Sequence, residues 1–421
     1  MSQISGTQPQ QAGDRDISFG NDGYLYPSTE PGQTFNLACA EDAAVTHATE
    51  LNGKIFVDRA LANGAKDPAF ASDLWNFESG DTSRSNRLLL QPFENDRRIV
   101  VIGESIQNRT SRPAVTRLLP NGSPDLVFGC RILPQPDDHQ TNLHFLYPTS
   151  DGCLHQGNKV LVIANYMTGT VYRDVTRLYC LEITGDLDER FGQSGFIDIR
   201  FHDQSSLACA VQVQRNGNIV VAGKYGTLDN MSLARYSPSG VLDETFGELG
   251  FIDIPIERSA QDAEGLANIV YFHSLSRLLI LDDDRIVLTG NTIGPGKTRG
   301  VLLQLTAEGQ RDSSFNGGEP IYTEHDLANV GWATAAVQPD GKIIVAGSGF
   351  DNAEPGVNRV IGHKQRFLPS GARDLTFDNT PVSGEFRDIA IQPSGRILLA
   401  GSQGVNWQFA RHPSITAFIG N

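Results

Sequence analysis

Residues Leu242–Gly247 read Leu-Asp-Glu-Thr-Phe-Gly and contain an Asp-x-x-Phe tetrad that decides the fold. The tetrad occurs seven times in the 421 residues, about every 60 residues. Its copies are Asp16/Phe19, Asp67/Phe70, Asp125/Phe128, Asp188/Phe191, Asp243/Phe246, Asp312/Phe315 and Asp374/Phe377. A period of this length predicts a repeat architecture, in which each unit packs only on its neighbours.

Two strands joined by a tight turn are predicted before each tetrad except the first, and once more after the last tetrad. In the copy Ala333–Gly347, a first strand ends at Gln338, a Pro-Asp-Gly turn follows, and Lys342–Ala346 forms an apolar, β-branched second strand. Pro sets φ in such a turn, and Gly accepts a positive φ at little cost. Similar second strands are predicted at Ile55–Val57, Arg98–Ile102, Lys159–Ile163, Asn218–Ala222, Arg285–Thr289 and Arg396–Ala400.

A third strand follows each predicted second strand, and a fourth strand follows the tetrad. Third strands are clearest at Met231–Tyr236, Val301–Leu305 and Val360–Phe367, and fourth strands at Gly195–Ile199 and Gly250–Ile254. Four short strands per unit, Gly-rich turns and the lack of an amphipathic helical pattern predict an all-β chain.

The phase of the repeats predicts a closed ring. The chain begins with a tetrad and a fourth strand at Gly23–Tyr26, and it ends with the first three strands of a unit. Those three are predicted at Arg387–Gln392, Arg396–Ala400 and Gln408–Thr416. The two ends add up to one unit, and pairing them would leave no exposed sheet edge.

We therefore expect a seven-bladed β-propeller of four-stranded blades, closed by pairing of the N- and C-terminal strands. Residues 1–421 are expected to form a single domain, with residues 1–12 as a flexible N-terminal tail. The sequence does not decide which strand of a blade lies innermost.

The tetrad itself favours a structural role over a chemical one. In the structural interpretation, the Asp side chain caps a tight turn and the Phe anchors that turn in the core. In the alternative, seven Asp residues ring a channel or bind cations. Calcium loops need several closely spaced oxygen ligands, and each tetrad supplies one.

The repeat motifs resemble the bacterial delta-60 repeat family. The resemblance is carried by Leu242–Gly247, by Arg235–Gly240 (Arg-Tyr-Ser-Pro-Ser-Gly) and by Gln338–Gly347 (Gln-Pro-Asp-Gly-Lys-Ile-Ile-Val-Ala-Gly). The last four copies match well and the first three are degenerate: no Gly follows Phe70, and Asp58 stands where Ala-Gly is expected. The resemblance implies a β-propeller fold and carries no general biochemical role.

Composition excludes some classes of partner. The net charge of −15 argues against nucleic acid and against anionic membrane surfaces. No apolar stretch is long enough to span a membrane. No signal peptide is visible, and Cys39, Cys130, Cys153, Cys180 and Cys209 show no CxxC spacing. These features predict a cytoplasmic protein with reduced thiols and leave signal-independent export open.

One insert offers candidate metal ligands. Residues Arg131–Gly157 are predicted to form a long loop that holds Asp137, Asp138, His139, His144, Cys153 and His155. Imidazole and carboxylate ligands suit zinc or iron. The spacing matches no known ligand frame, so solvated loop side chains are the favoured interpretation and no metal or cofactor is assigned.

Two further inserts carry residues that suit an interface or the core. Trp75–Arg98 is predicted as an insert with Trp75, Phe77, Arg84, Arg87, Arg97 and Arg98, which are either binding residues or loop anchors. Glu257–Asp284 ends in Asp282-Asp283-Asp284, for which a solvated turn is favoured over an ion site. Trp332 is expected in the core, and Trp407 is expected to help close the ring.

The sequence favours a binding protein over an enzyme. No nucleophile elbow, phosphate loop or His-Glu-x-x-His pair is present, and catalytic residues stay unknown. We expect a non-catalytic binding or scaffolding propeller with a protein, small-molecule or glycan ligand on a loop-bearing face or at the channel mouth. The alternative is a hydrolase or lyase, with or without a metal, acting at the central channel. Three or more convergent carboxylates and imidazoles at the axis would favour the enzyme, and the sequence does not decide the oligomeric state.

Overall fold

The structure is a computed structural model, and it describes the greater part of the chain. The described residues are 10–78, 80–94, 96–108, 110–136, 141–142, 150–166, 174–226, 230–254, 274–294, 297–323, 330–354, 357–404 and 411–421. Their helical structure is confined to the 3-10 turns Gln156–Asn158, Phe201–Asp203 and Asn316–Gly318. Within these ranges no helix has the length and apolar character that crossing a membrane requires.

The strands form seven antiparallel sheets, the blades. Blade 1 contains β2 (Gly32–Cys39), β3 (Val45–Leu51), β4 (Lys54–Ala60) and β5 (Asp73–Trp75). Blade 2 contains β6 (Thr82–Phe93), β7 (Asp96–Gln107), β8 (Thr110–Leu118) and β9 (Cys130–Ile132), with β10 (Thr141–Asn142) also paired to β8. Blade 3 contains β11 (Ser150–His155), β12 (Lys159–Tyr166), β13 (Val175–Leu181) and β14 (Phe196–Ile199).

The remaining blades repeat this order. Blade 4 contains β15 (Ser206–Val213), β16 (Ile219–Tyr225), β17 (Asn230–Tyr236) and β18 (Phe251–Ile254). Blade 5 contains β19 (Ser274–Ile280), β20 (Ile286–Gly294), β21 (Lys297–Leu305) and β22 (Ile321–Thr323). Blade 6 contains β23 (Gly331–Val337), β24 (Ile343–Glu354), β25 (Val357–Phe367) and β26 (Val382–Ser383). Blade 7 contains β27 (Glu385–Ile391), β28 (Ile397–Gln403), β29 (His412–Phe418) and β1 (Tyr24–Leu25).

Blade 7 closes the ring with strands from both ends of the chain. The N-terminal strand β1 pairs antiparallel with the C-terminal strand β29, and Tyr24 lies opposite Thr416. The N–H of Gly13 also donates to the carbonyl of Ile419, at 2.7 Å. The predicted seven-bladed propeller, closed by its terminal strands, is confirmed.

The first strand of each blade lies innermost. The strands β2, β6, β11, β15, β19, β23 and β27 contact one another in turn around the whole ring. Because neighbouring strands run antiparallel, the innermost strands all begin on one face. That face, here called the loop face, carries the connections between blades and those between second and third strands. The opposite face, the tetrad face, carries the tetrads and the turns after the first and third strands.

An apolar cluster fills the space between each pair of neighbouring blades. The described residues form seven such clusters, and each contains one tetrad Phe. Phe191, for example, packs between blades 3 and 4, and Phe19 packs between blades 7 and 1. All seven tetrad Phe side chains are buried. Burying one such ring contributes about 1.5–3 kcal/mol, so the tetrad joins blades as well as ending a turn.

The tetrad Asp holds its own turn and binds at least one cation. In every copy a carboxylate oxygen accepts the backbone N–H two residues ahead, as Asp312 does from Ser314 at 2.9 Å. The other oxygen binds an Arg or Lys side chain. Burial alone would raise the pKa of Asp312, but hydrogen bonds from Ser314, Gln304 and Arg285 outweigh it and lower that pKa to about 2. The structural role predicted for the tetrad is confirmed.

The same cation also reaches the next blade. Arg59 Nε donates to Asp67 at 2.7 Å, and its Nη1 donates to the carbonyl of Pro120 in blade 2 at 2.7 Å. Arg117, Arg235, Arg366 and Arg396 repeat this bond to the carbonyls of Ile183, Ala307, Gly420 and Ala62. We call this joint, from tetrad Asp through Arg to the next blade's carbonyl, the staple.

The cation comes from either of two strands. Arg59, Arg117, Arg235 and Arg366 lie on third strands, at the residue whose carbonyl accepts the tetrad Asp N–H. Cys180, Gln304 and Ala417 occupy that position in blades 3, 5 and 7. There Lys159, Arg285 and Arg396, at the start of the second strand, bind the carboxylate instead.

Blade 1 departs from the sequence prediction. Ile55–Val57 was predicted as a second strand, but it lies in the third strand β4, and the second strand is β3. The reason is the Asn52-Gly53 turn, in which both residues have positive φ values, 52° and 73°. Such a turn joins any two antiparallel strands, and here it joins β3 to β4 rather than β2 to β3.

The predicted inserts are largely strand. Trp75–Arg98 contains the end of β5, the long innermost strand β6 and the start of β7. Phe77 is buried, as expected for an anchor, and Trp75 packs edge-on against it. Within Arg131–Gly157, where a long loop is predicted, the described residues include the end of β9, the short strand β10 and the innermost strand β11, and residues 137–140 and 143–149 lie outside the described part of the chain. Pairing with neighbouring strands fixes these segments, and their local patterns are too irregular to show it.

The last insert and the tryptophans match expectation where they are described. Asp282–Asp284 forms the turn between β19 and β20, and Asp284 adopts the positive φ that Gly adopts elsewhere, 66°. Trp332 is fully buried. Residues 255–273 and Trp407 lie outside the described residues.

The staple in blade 6 gives a first prediction. Arg366→Ala should lower the free energy of unfolding by about 3 kcal/mol, because it leaves Asp374 buried without its charge partner. Asp374→Ala should cost a similar amount, and the double variant should lose less than the sum. Urea denaturation measures all three.

The exposed pair Lys342–Asp340 is the matched control for that experiment. Lys342→Ala should change stability by about 0.5 kcal/mol or less. A loss from Arg366→Ala as small as that of Lys342→Ala would contradict the importance of the staple.

A buried histidine gives a second prediction. His47 on β3 is 1% exposed, and its Nδ1 lies 3.3 Å from the Thr49 hydroxyl. Burial lowers its pKa to about 4, against the opposing effect of Asp58. The unfolded chain therefore binds the proton near pH 6.5 and the folded chain only near 4. Stability should fall by about 3 kcal/mol as the pH drops through this window.

His47→Gln should remove most of that pH dependence, as measured by denaturation midpoints between pH 7 and about 4. The exposed His412 provides the control variant, His412→Gln, which should leave the wild-type profile unchanged. An unchanged profile in the His47 variant would contradict the assignment.

Candidate functional site: the central channel and its mouth

A β-bulge occurs at one level of the innermost strands. Blades 1, 2, 4, 5, 6 and 7 each contain a register shift there. The residue after it is Arg87 in blade 2, Arg277 in blade 5 and Asp388 in blade 7. Asp151 of blade 3 occupies the matching pairing position without a bulge. Bulges re-aim side chains, and this level supplies the channel with charge.

These four charged side chains converge from four blades. Arg277 Nη2 lies 3.0 Å from Asp388 Oδ1, although blade 6 separates their blades. Thr334 of blade 6 approaches the same oxygen at 3.4 Å. Arg87 Nε lies 3.7 Å from Asp151 Oδ1. The contact between non-neighbouring blades shows that the cluster spans the channel.

Each channel carboxylate also binds the following blade. Asp388 Oδ2 accepts the N–H of Leu37 at 3.1 Å, and Asp151 Oδ2 accepts the N–H of Val211 at 3.3 Å. Both N–H groups belong to innermost strands. The carboxylates therefore have a structural role on the side that faces the neighbouring blade.

The electrostatics of the cluster are those of a desolvated site. Burial raises the pKa of Asp388 and of Asp151, and the guanidinium of Arg87 opposes that rise in both. Among the described residues, the buried Nε atoms of Arg87 and Arg277 have no hydrogen-bond partner. The two carboxylates and two guanidiniums have no net charge together, and the two Nε–H groups are hydrogen-bond donors that this cluster does not use.

A second polar cluster lies at the loop-face mouth, where innermost strands begin. Glu385, the first residue of β27, is 6% exposed and accepts hydrogen bonds from Gln33, Ser402 and Arg411. Arg387, two residues further, pairs with it at 3.0 Å and is half-exposed. One carboxylate thus organises two arginines and an amide between blades 7 and 1.

A cavity of about 320 Å³ opens beside this cluster. We call it the seam cavity, because it lies where blade 1 meets the closing blade. Its lining includes Gln33, Phe35, Glu50, Asn52 and Arg411. Burial raises the pKa of Glu50, which the guanidinium of Arg84 opposes from 3.7 Å.

Some sequence candidates lie at these sites and others do not. Arg84 and Arg87 of the predicted insert lie at the mouth and in the channel. Cys153 packs in an apolar cluster, and His155 Nε2 lies 3.1 Å from the carbonyl of Pro238. Asp137, Asp138, His139 and His144 fall outside the described residues. The described part of the chain contains no group of three His, Cys, Asp or Glu side chains arranged to hold a metal.

The sequence did not single out Asp151, Arg277, Asp388 or Glu385. A weak signal exists, because Arg277 and Asp388 stand at the same distance before a Gly within their second strands, Gly290 in β20 and Gly401 in β28. Thr334 and Ala210 occupy this place in other blades, so a single position carries varied residues.

The Arg277–Asp388 pair gives a third prediction. Asp388→Leu should lower the free energy of unfolding by about 3 kcal/mol, because it leaves a guanidinium without its charge partner. The double variant Arg277→Met/Asp388→Leu should recover part of that loss, since both charges are then absent while the N–H of Leu37 still lacks its acceptor. Urea denaturation tests this, and a double variant no more stable than the single one would contradict a coupled pair.

Comparison with protein families supports the fold. Residues 94–128, 214–246, 281–315 and 338–377 match a family model described as "Domain of unknown function (DUF5122) beta-propeller". Each match ends at a tetrad Phe. The first includes the copy at Phe128, which the repeat pattern grouped with the degenerate ones. A comparison with curated proteins finds no match.

Comparison with solved structures finds proteins that cover most of this chain at low sequence identity. A catalytically inactive virginiamycin B lyase from Staphylococcus aureus has 9% identity and a TM-score of 0.47, covering 93% of this chain and 98% of its own. A polysaccharide lyase described as an ulvan lyase has 9% identity and a TM-score of 0.49, with 98% and 94% covered. An α-L-arabinofuranosidase from Fusarium graminearum has 8% identity and a TM-score of 0.40, with 94% and 96% covered. From its own strands and repeat matches, the chain is a β-propeller repeat protein.

Proposed function

We propose that this chain is a non-catalytic binding or scaffolding propeller that holds a polar ligand or partner at the loop-face mouth of its channel. The observation that carries this proposal is the convergence of Arg87, Asp151, Arg277 and Asp388 behind that mouth. We also infer that its repeats belong to the delta-60 family, from the motifs around Asp243 and Asp340.

The difference between the two faces supports a binding role for the loop face. On the tetrad face, first and second strands are joined by turns of similar length, such as residues 214–218 and 392–396. On the loop face, Gly384 alone connects β26 to β27, whereas six residues, 200–205, connect β14 to β15. Variation of this kind is typical of the side of a scaffold that carries recognition.

The hydrogen bonds already made by the channel carboxylates favour binding over catalysis. Asp388 accepts from Arg277 and from the N–H of Leu37, so both of its oxygens are engaged. A general base needs an oxygen free to take a proton from a substrate. The mouth, by contrast, presents the half-exposed Arg84 and Arg387.

One observation favours the alternative of a hydrolase or lyase. Burial raises the pKa of both Asp151 and Asp388, and perturbed carboxyl groups in a cleft are typical of catalytic sites. A protonated carboxyl group at the channel axis would suit the general acid of either a hydrolase or a lyase.

A screen with face-specific variants gives a fourth prediction. The full chain is tested on glycan arrays and on arrays of acidic, basic and apolar peptides. Arg387→Glu should weaken any specific binding at least about tenfold, because it reverses a charge at the mouth. Arg373 is an exposed arginine next to the tetrad of blade 6. The variant Arg373→Glu is therefore the matched control and should bind the same probe as strongly as wild type.

Equal loss in both variants, or in neither, would overturn the assignment to the loop-face mouth. If the wild-type chain converts an arrayed probe and the Asp388→Asn variant does not, the protein is an enzyme and the binding proposal is wrong. Mass spectrometry identifies the cleaved product.

A further inference from the structure

The seam cavity is bounded by rigid backbone. The Asn52-Gly53 turn is fixed by the N–H of Ser83, which donates to the carbonyl of Gly53 at 2.7 Å. The N–H of Gly32 donates to the carbonyl of Arg411 at 2.8 Å, which ties blade 1 to the start of β29. A Cβ added at Gly32 would lie 2.3 Å from the carbonyl oxygen of Glu50. The walls are therefore preformed.

The polar groups of the cavity are a balanced set of donors and acceptors. Gln33 and Glu50 lie opposite each other in the β2–β3 pairing, so their side chains share one face of the sheet. Arg411 is paired with Glu385 at 2.5 Å, and Glu50 lies 3.7 Å from Arg84. Each charge at the cavity already faces an opposite one.

Phe35 supplies an apolar surface among these groups. It is the bulge residue of β2, and it is partly exposed. The seven apolar clusters of the described residues fill the spaces between blades, and Phe35 belongs to none of them. Its ring is thus directed to the cavity rather than to the core.

We infer that the seam cavity binds one neutral saccharide unit. The apolar face of the sugar ring would lie on Phe35, and its hydroxyls would bond to Gln33, Glu50 and Arg411. A hydroxyl both donates and accepts, so it matches a mixed set of amide, carboxylate and guanidinium groups. The volume of about 320 Å³ is at the lower end of small-ligand pockets, which suits a single sugar ring. This inference rests on the proposed function and names its ligand class.

Other ligand chemistries fit the cavity less well. A charged ligand would compete with Glu385 for Arg411 or with Arg84 for Glu50, leaving one charge uncompensated. A wholly apolar ligand would cover the Glu50 carboxylate, which lies 3.7 Å from Arg84, without giving it a hydrogen-bond donor. A peptide backbone has no flat apolar face to lie on Phe35.

The fifth prediction uses defined sugars. Methyl glycosides of common neutral hexoses, pentoses and deoxyhexoses, each at millimolar concentration, are tested with the full chain by saturation-transfer NMR and calorimetry. At least one should bind. Phe35→Ala and Glu50→Gln should each weaken it about tenfold or more, while Phe35→Trp should retain it.

Tyr26→Ala is the matched control, because Tyr26 is a half-exposed aromatic residue outside the cavity that stacks on Tyr24. It should bind the sugar as wild type. Denaturation midpoints show whether each variant remains folded.

Failure of every glycoside to bind, or binding that survives both Phe35→Ala and Glu50→Gln, would overturn the saccharide assignment. If the glycosides fail but an arrayed peptide binds and is lost in Arg387→Glu, the binding function stands without this ligand class. If nothing binds at either site, both proposals fail.

Discussion

The staple is the interaction on which the ring depends. A tetrad carboxylate fixes its own turn and an arginine or lysine, and in five blades that arginine donates to the carbonyl of the next blade. Beneath it, each tetrad Phe fills the apolar cluster between the same two blades. Polar and apolar joints therefore coincide, and a propeller whose blades share no continuous sheet gains its cohesion there.

The tetrad face and the loop face differ in their part in holding the ring together. Because the staples and short turns hold the ring from the tetrad face, the loop face can vary without loss of the fold. The channel charges lie between the two faces. Asp151 and Asp388 each accept an N–H of the following blade; Asp388 also pairs with Arg277 of a non-neighbouring blade, and Asp151 with Arg87 of the preceding blade. The polar groups at the mouth, such as Glu385 and Arg411, lie at the loop-face end of the same innermost strands.

The repeat pattern predicted the architecture because every copy of the tetrad does the same job. It predicted the closing blade as well, since the two chain ends carry complementary halves. It failed where local signals are ambiguous: Asn52-Gly53 makes a good hairpin between any two strands, and the irregular stretch Trp75–Arg98 forms strand only through its neighbours. The staple cation was missed because it alternates between two strands. The channel charges were missed because each blade contributes a single residue, and only the closed ring brings them together.

Closure of the ring brings the two ends of the chain to one place. Gly13 bonds to Ile419, and the N–H of Ile419 bonds back to the carbonyl of Asp14. A short linker could therefore join the ends, and new termini could be opened at a turn between other blades with the architecture retained. In such a circular permutant the four strands of blade 7 would be consecutive in the sequence. Another blade would then combine strands from the two ends of the chain. Domains joined ahead of Gly13 and after Ile419 would emerge side by side, next to the boundary between blades 6 and 7.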